Sequence, residues 1–288
     1  MTDEVGNAID HNALSRRLAR SRRASAFIHE RVADELASRL DYLALVPSTI
    51  IDLGAMHGQT AALLAERYPK ASITALESAA PIARGLGRRR WGFGKRRVEV
   101  VSNTPIDNTG LPDDAADLVV ANLSATRFST PDGFLAEAFR LLKTDGVFLF
   151  ATLGPDSLRE VRDAWAQIDD TPHVADFIDM HDFGDALGRA GFREPVLDTE
   201  RLDIRYASVD DLWRDLTASG ARNSLLGRRR GLTSKARFER FRQALAPDGQ
   251  PFTVTLELVH GHCFGGTPRQ RQDAISISPT NIPVRSRT

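Results

Sequence analysis

The stretch TIIDLGAMHGQTAALLAERY, residues 49–68, decides the fold. Its apolar run ends at Asp52, Gly54 follows, and a helical pattern starts near Gly58, the strand–loop–helix order of a nucleotide-binding α/β unit. A loop at the carboxyl end of a first strand must turn sharply and let its backbone approach a ligand. Glycine permits both because it has no Cβ, and Gly54 and Gly58 meet those needs. The spacing is Gly-x-x-x-Gly with Met56 in the middle, not the Gly-x-Gly-x-x-Gly of dinucleotide binders. A pyrophosphate cradle, and with it a nicotinamide or flavin cofactor, is therefore disfavoured.

Outward from this unit, short β-rich runs alternate with helical patterns up to about residue 152. SITALE (72–77), VEVVSN (98–103), ADLVVANL (116–123) and GVFLFATL (146–153) are each bounded by Gly, Pro or Asp and dense in Val, Ile and Leu. Strands of that composition are buried on both faces, as in a doubly wound parallel sheet flanked by helices. Before the sheet, residues 13–44 read as helix. After it, residues 154–222 read mostly as helix with one strand-like piece, LDIRYA (202–207). Ser208 and Asp211 form a Ser-x-x-Asp capping box, another helix begins at Thr233 or Ser234, and FTVTLELVHGHCF (252–264) alternates like a late strand. The expected organisation is an N-terminal helical segment (1–44), an α/β domain (45–264) carrying a helical cap at about 154–240, and a disordered tail (265–288) without periodicity.

The 288 residues carry 38 Lys and Arg against 38 Asp and Glu, so the whole-molecule field favours neither nucleic acid nor an acidic partner, and any such preference is local. One cysteine, Cys263, excludes an intramolecular disulfide and a thiolate metal cluster, and reads as a small core residue. The N-terminus lacks the basic-then-apolar order of a secretion signal, and no stretch approaches the roughly 18 apolar residues of a membrane span, which places the chain in the cytoplasm. His260 and His262 share a strand face, but no third ligand at a recognisable spacing supports a metal.

Glu77 ends the second strand as Asp52 ends the first. An acid at each strand end with a glycine loop between them suits S-adenosylmethionine, whose ribose hydroxyls and amino-acid end call for carboxylates and no phosphate cradle. Each residue alone has a plainer reading, Asp52 as a turn cap and Glu77 as a solvated strand end.

Further on, LPDDAADLVVANLS, AEAFRLLKTDGVFLFATLGPDSLREVRDAW, PHVADFIDMHDFGDALGRAGFREPVLDTERLDIRY and GARNSLLGRRRGLT resemble the malonyl-acyl-carrier-protein O-methyltransferases of biotin synthesis, over about residues 13–264. The sheet motifs are common to all class I methyltransferases; TLGPDSLRE, DMHDFGDALGRAGF and GARN with GRRRGLT are the more specific ones. The resemblance implies a Rossmann-like class I fold and methyl transfer from S-adenosylmethionine to the free carboxylate of a malonyl thioester on acyl carrier protein. It places Asp52, Gly54 and Gly58 at the methionine end of the cofactor and Glu77 at the ribose. Asn122 and Leu123 would lie beside the reacting methyl. Asp107 would lie on the adenine side, although an ungapped alignment puts Pro105 there. Three positions depart from the family: Met56 stands where glycine is usual, Thr126–Arg127 where a Gln-Trp pair is usual, and Arg22–Arg23 where a Tyr-Asp pair is usual. All three fall around one pocket, which raises a non-enzyme alternative: a degenerate relative that keeps the fold as a binding or assembly scaffold.

A carboxylate substrate is already ionised at neutral pH, so the reaction needs alignment but no general base, and no catalytic residue is assigned. It does need a cation for the malonyl group. Arg222, Arg228 and Arg127 are the candidates, since a guanidinium binds a carboxylate through two hydrogen bonds; the alternative is a solvated basic face. The basic runs 84–97 and 222–242 would steer an acidic acyl carrier protein. RNA is disfavoured because no RNA-binding signature accompanies the charges, and Trp91 with Phe93 reads as a loop brace.

Overall fold

Five of the Val-, Ile- and Leu-rich runs form parallel strands in the computed structural model, which describes residues 8–21, 27–88, 98–102 and 104–266. They are β1 (Thr49–Leu53), β2 (Ser72–Glu77), β3 (Val98–Ser102), β4 (Ala116–Asn122) and β5 (Leu142–Leu153). Two further strands, β6 (Arg193–Tyr206) and β7 (Phe252–Phe264), complete a seven-stranded sheet in the order 3-2-1-4-5-7-6. Both of the added strands run antiparallel to their neighbours, which the expectation of a parallel sheet did not include. The chain winds outward from β1 in one direction and then returns to pair β4 on its other side. Such a reversal opens a crevice at the carboxyl ends of β1 and β4, where α/β sheets bind ligands.

Alternation along β1 sends Ile50 to one face and Ile51 to the other. The Ile50 face packs with Val32 and Leu36 of α2 (Phe27–Arg39) and with Ala61 and Leu64 of α3 (Gln59–Arg67). The Ile51 face packs with Phe134 and Leu141 of α5 (Asp132–Leu141) and with Phe183 and Leu187 of α7 (Met180–Ala190). The remaining sheet helix, α4 (Ala80–Gly87), follows β2. In the N-terminal segment α1 (His11–Leu18) is capped by Asp10, whose carboxylate accepts the Ala13 N–H; Arg22 and Arg23 lie outside the described residues. So do Trp91, Phe93 and nearly all of the tail, 267–288.

A third core is built from α6 (Arg159–Ala166), α8 (Val209–Ala218) and α9 (Lys235–Leu245) with the ends of β6 and β7. Trp165 stacks on Phe241 at 4.4 Å between centroids, and Leu212, Tyr206 and Val254 close round them. The Ser208–Asp211 box starts α8 as its residues dictate: Ser208 Oγ accepts the Asp211 N–H at 3.2 Å and donates to Asp211 Oδ2 at 2.7 Å. Ser234 caps α9. The strand expected over 202–207 begins nine residues earlier, at Arg193, because β7 supplies a backbone partner along its whole length. Residues 193–201 are too polar to declare a strand on their own.

Candidate functional site

The crevice residues converge as the chain order requires. Asp52 sits inside β1, fully buried, and its Oδ2 accepts the Ala61 N–H at the start of α3 (3.1 Å). Its Oδ1 is buried without a hydrogen-bond partner. Burial pushes the Asp52 carboxyl up to about 7; the Ala61 N–H opposes that shift, the Glu77 charge adds to it and the Arg127 charge opposes it. Gly54 follows with φ +88°, and a Cβ there would stand 2.5 Å from Ser124 Cβ, so the backbone of the β1 loop and the turn after β4 touch where any other residue would separate them. Gly58 (φ +75°) leads into α3.

Between the glycines, Met56 adopts φ +47°, a left-handed conformation that costs a side-chain-bearing residue roughly 1–2 kcal/mol. Its thioether is almost wholly buried and its N–H donates to Glu77 Oε2 at 2.9 Å. The backbone is turned so that the Met56 amide faces Glu77. Ser21 Oγ and His57 Nε2, 2.9 Å apart, tie the same loop to the N-terminal segment.

At the end of β4, Asn122 Nδ2 donates to the His29 carbonyl (2.8 Å) and to Thr60 Oγ1 (3.0 Å). Leu123, at φ +57°, turns the chain into a short 3-10 helix, Ser124–Arg127. The guanidinium of Arg127 reaches back fifty residues in sequence to Glu77. Nη1 donates to Oε1 at 3.3 Å, Nη2 donates to Oε2 at 3.2 Å, and Nη2 also donates to the Gly54 carbonyl at 3.2 Å. Glu77 further accepts the Ala79 N–H on Oε1 at 2.9 Å and has no exposed surface.

A cavity of about 690 Å³ lies against these residues. Met56, Leu123 and Arg127 form its wall on the sheet side, Leu14 and Phe27 on the N-terminal side, and Trp213 and Phe238 on the side of the third core. Asp52, Gly54, Gly58, Glu77 and Asn122 are set behind that wall, and Asp107 is exposed in the turn after β3, away from it. Arg17, Arg222 and Arg228 also line the cavity. Arg228 is engaged by Asp10 Oδ2 (2.8 Å) and the Leu225 carbonyl (2.6 Å). Arg222 Cζ lies over the Trp213 ring, 4.0 Å from its centroid, and the guanidinium donates to Thr217 Oγ1 at 3.0 Å. Burial, with the charges of Arg17 and Arg20, brings its guanidinium down to about 10, and Arg17 Nε is buried with no partner.

S-adenosylmethionine makes three demands here: a backbone free of side chains at the first loop, a polar atom for the amino-acid end, and carboxylate oxygens for two ribose hydroxyls. The first is not met as the loop stands, because the bare face of Gly54 is filled by Ser124 and the loop carries the buried Met56 side chain; the unpartnered Asp52 Oδ1 meets the second. Glu77 as paired does not meet the third, because four N–H groups occupy the roughly four lone-pair sites of a carboxylate, with the Ser78 hydroxyl a distant fifth donor at 3.5 Å from Oε1. Two residues that sequence patterns gave no reason to single out belong to this site. His29 supplies the carbonyl for Asn122, and its imidazole is pushed down to about 3 by burial and by the neighbouring Arg127 and His57 charges. Ser124 meets Gly54. No motif marks either one; their place follows only from the packing of α2 and the turn after β4.

Among the described residues no group of three His, Cys, Asp or Glu side chains could hold a metal ion, and no helix is long and apolar enough to cross a membrane. Cys263 is buried in the core, its thiol raised by burial.

Residues 25–194 match the methyltransferase domain family. A malonyl-[acyl-carrier protein] O-methyltransferase of Laribacter hongkongensis is 40% identical over 258 residues, covering 86% of each chain. The enzyme of the same name from Gallionella capsiferriformans is 34% identical over 288 residues, covering 96% of this chain and 98% of its own. Among solved structures, the YcgJ protein of Bacillus subtilis superposes with a TM-score of 0.60 at 16% identity, over 82% of this chain and 98% of its own, a likeness of fold. With the sheet order, the reversal at β1 and β4 and relatives matched nearly end to end, the chain belongs to the malonyl-[acyl-carrier protein] O-methyltransferase family, class I methyltransferases whose cofactor is S-adenosylmethionine.

Proposed function

We propose that the protein methylates the free carboxylate of a malonyl thioester carried on acyl carrier protein, the activity for which its relatives are named. The observation that carries this reading is the wall of the 690 Å³ cavity. Arg17 and Arg222 are half-buried there, each guanidinium is lowered by burial and by neighbouring positive charge, and Arg17 Nε has no partner. Crowded cations in a low-dielectric wall favour an anion that can enter between them. The apolar remainder of the cavity, including Leu14, Phe27 and Phe238, suits the thioester and its carrier arm.

S-adenosylmethionine, when bound, supplies the electrophilic methyl group. This chain's residues supply orientation: Arg222, braced on Trp213, holds the carboxylate, and the apolar side chains around it leave fewer waters to compete for the guanidinium. The carboxylate is ionised before it arrives, so no proton has to move. At the rim of the cavity, Arg229 and Lys235 are exposed together with Leu232, which is 95% exposed, and Arg230 is exposed next to them in the chain. Cations around one apolar side chain form a docking face for an acidic carrier protein, with an on-rate that falls as salt rises.

The test is incubation of the full chain with S-adenosylmethionine and malonyl-acyl carrier protein, with mass spectrometry of the carrier and acetyl-acyl carrier protein as control. A methyl ester on the malonyl carrier alone is the expected result; no ester from folded protein at saturating cofactor refutes the reading. One observation favours a second reading, a binding or assembly protein that has lost catalysis: every acceptor site of Glu77 is filled from within the chain. That reading requires malonyl carrier binding without ester formation.

A further inference from the structure

The Arg127 guanidinium grips Glu77 and the Gly54 carbonyl, and the same residue lines the cavity. Its grip has the form of the ligand it displaces. The donors fixed by the backbone, the Met56 and Ala79 N–H groups, take one lone pair on each Glu77 oxygen. Arg127 then takes one more on each, Nη1 on Oε1 and Nη2 on Oε2. A ribose offers two neighbouring O–H donors to the same carboxylate edge, so the fork and the diol compete for the same two lone pairs.

The grip is also a loose one. Its three hydrogen bonds measure 3.2–3.3 Å, against roughly 2.7–2.9 Å for a well-made charge-assisted bond. On the cavity side, the acid in the wall among the described residues, Asp215, lies near Tyr206, whose hydroxyl is pushed up by burial together with the Asp215 charge. A carboxylate entering the cavity is therefore a rival acceptor for Arg127 of the same chemical type as Glu77.

We infer that Arg127 is a latch on the nucleoside half of the cleft: a carboxylate-bearing thioester in the cavity draws the guanidinium off Glu77, and Glu77 then accepts the ribose hydroxyls. This rests on the proposed substrate reading of the same cavity. It makes carboxylate substrate and cofactor bind with positive coupling, and the coupling is reciprocal by thermodynamic necessity.

Calorimetric titration of the full chain with S-adenosylhomocysteine, which cannot react, tests it in three arms: alone, with saturating malonyl-CoA, and with saturating acetyl-CoA. Acetyl-CoA has the thioester and the nucleotide but no free carboxylate. The latch predicts that malonyl-CoA lowers the Kd for S-adenosylhomocysteine about fivefold or more, within the usual range of coupling, and that acetyl-CoA does not. Arg127→Met should bind S-adenosylhomocysteine more tightly than wild type and show no response to malonyl-CoA. If that variant does not fold with Glu77 left without its cation, Arg127→Lys, which keeps the charge without the fork, should show partial tightening, and the wild-type arms decide alone. Equal Kd with and without malonyl-CoA, or an Arg127 variant that binds no more tightly, overturns the latch. So does absence of binding in every arm at millimolar S-adenosylhomocysteine. Coupling without methyl ester formation leaves the latch standing and removes the proposed reaction; ester formation without coupling does the reverse.

Discussion

Asp52→Asn should make the protein more stable at alkaline pH and change how stability depends on pH. Asp52 is fully buried, one of its oxygens has a single N–H donor and the other has none, and its carboxyl is raised to about 7 from 3.8. The unfolded chain therefore releases this proton at lower pH than the folded one. A folded pKa raised in this way gives stability that is full below the unfolded pKa and is lost as pH rises toward the folded value. Integrated from pH 5 to pH 8, the loss is about 3 kcal/mol. Asparagine keeps an oxygen for the Ala61 N–H and carries no charge, so the variant escapes the loss. Urea denaturation of both proteins at pH 5, 6, 7 and 8, followed by circular dichroism and tryptophan fluorescence, gives the difference directly, since every other titrating group is common to the two. The variant should gain about 3 kcal/mol on wild type across that range. Parallel curves would refute the reasoning, because they would mean that Asp52 ionises as it does in water.

His29 should act in the opposite sense: with its folded pKa down at about 3, stability is full above the unfolded value of 6.5 and falls by ~2–3 kcal/mol as pH drops to about 4.5. His29→Gln should remove that acid sensitivity in the same urea series. Gly54→Ala should cost ~2–4 kcal/mol, from a positive φ and a Cβ 2.5 Å from Ser124 Cβ; Ser124→Gly in the same chain should return the packing part, measured by thermal melting. Met56→Gly should relieve the left-handed strain and open the wall between the cavity and Glu77, lowering the Kd for S-adenosylhomocysteine in calorimetry; an unchanged or higher Kd would mean that the loop accommodates methionine without crowding the cofactor. Arg222→Ala should raise KM for malonyl-acyl carrier protein about 10- to 100-fold, the value of a hydrogen bond to a charged group, while kcat stays within a few-fold.

The parallel half of the sheet was legible because buried strands write themselves as dense Val, Ile and Leu runs, and β1, β2 and β4 fall where those runs lie. The first half of β6 was not, because REPVLDTER draws its strand from β7 and not from its own composition. At the site, Asp52, Gly54 and Glu77 could be read from their positions at strand ends. Their contacts could not. The Arg127–Glu77 pair joins residues fifty apart through a turn whose direction depends on Leu123 in a left-handed conformation, and nothing local to Arg127 signals an acidic partner. The reading of Arg127 as a substrate cation and of Glu77 as a ribose acceptor did not include that each holds the other.

The length of β6 carries a liability of its own. Among the described residues no strand pairs with the outer edge of this fourteen-residue border strand, and an open ladder of amides and carbonyls is an invitation to intermolecular pairing. This chain answers with charge. Glu194, Asp198, Glu200, Arg201, Asp203 and Arg205 stud the strand, and Arg39 and Arg31 of α2 clasp Asp198 and Glu200 from one side. Replacing those acids with serine would leave the enzyme's crevice alone and unguard its flank, so that clumping on storage, rather than lost turnover, becomes the first symptom.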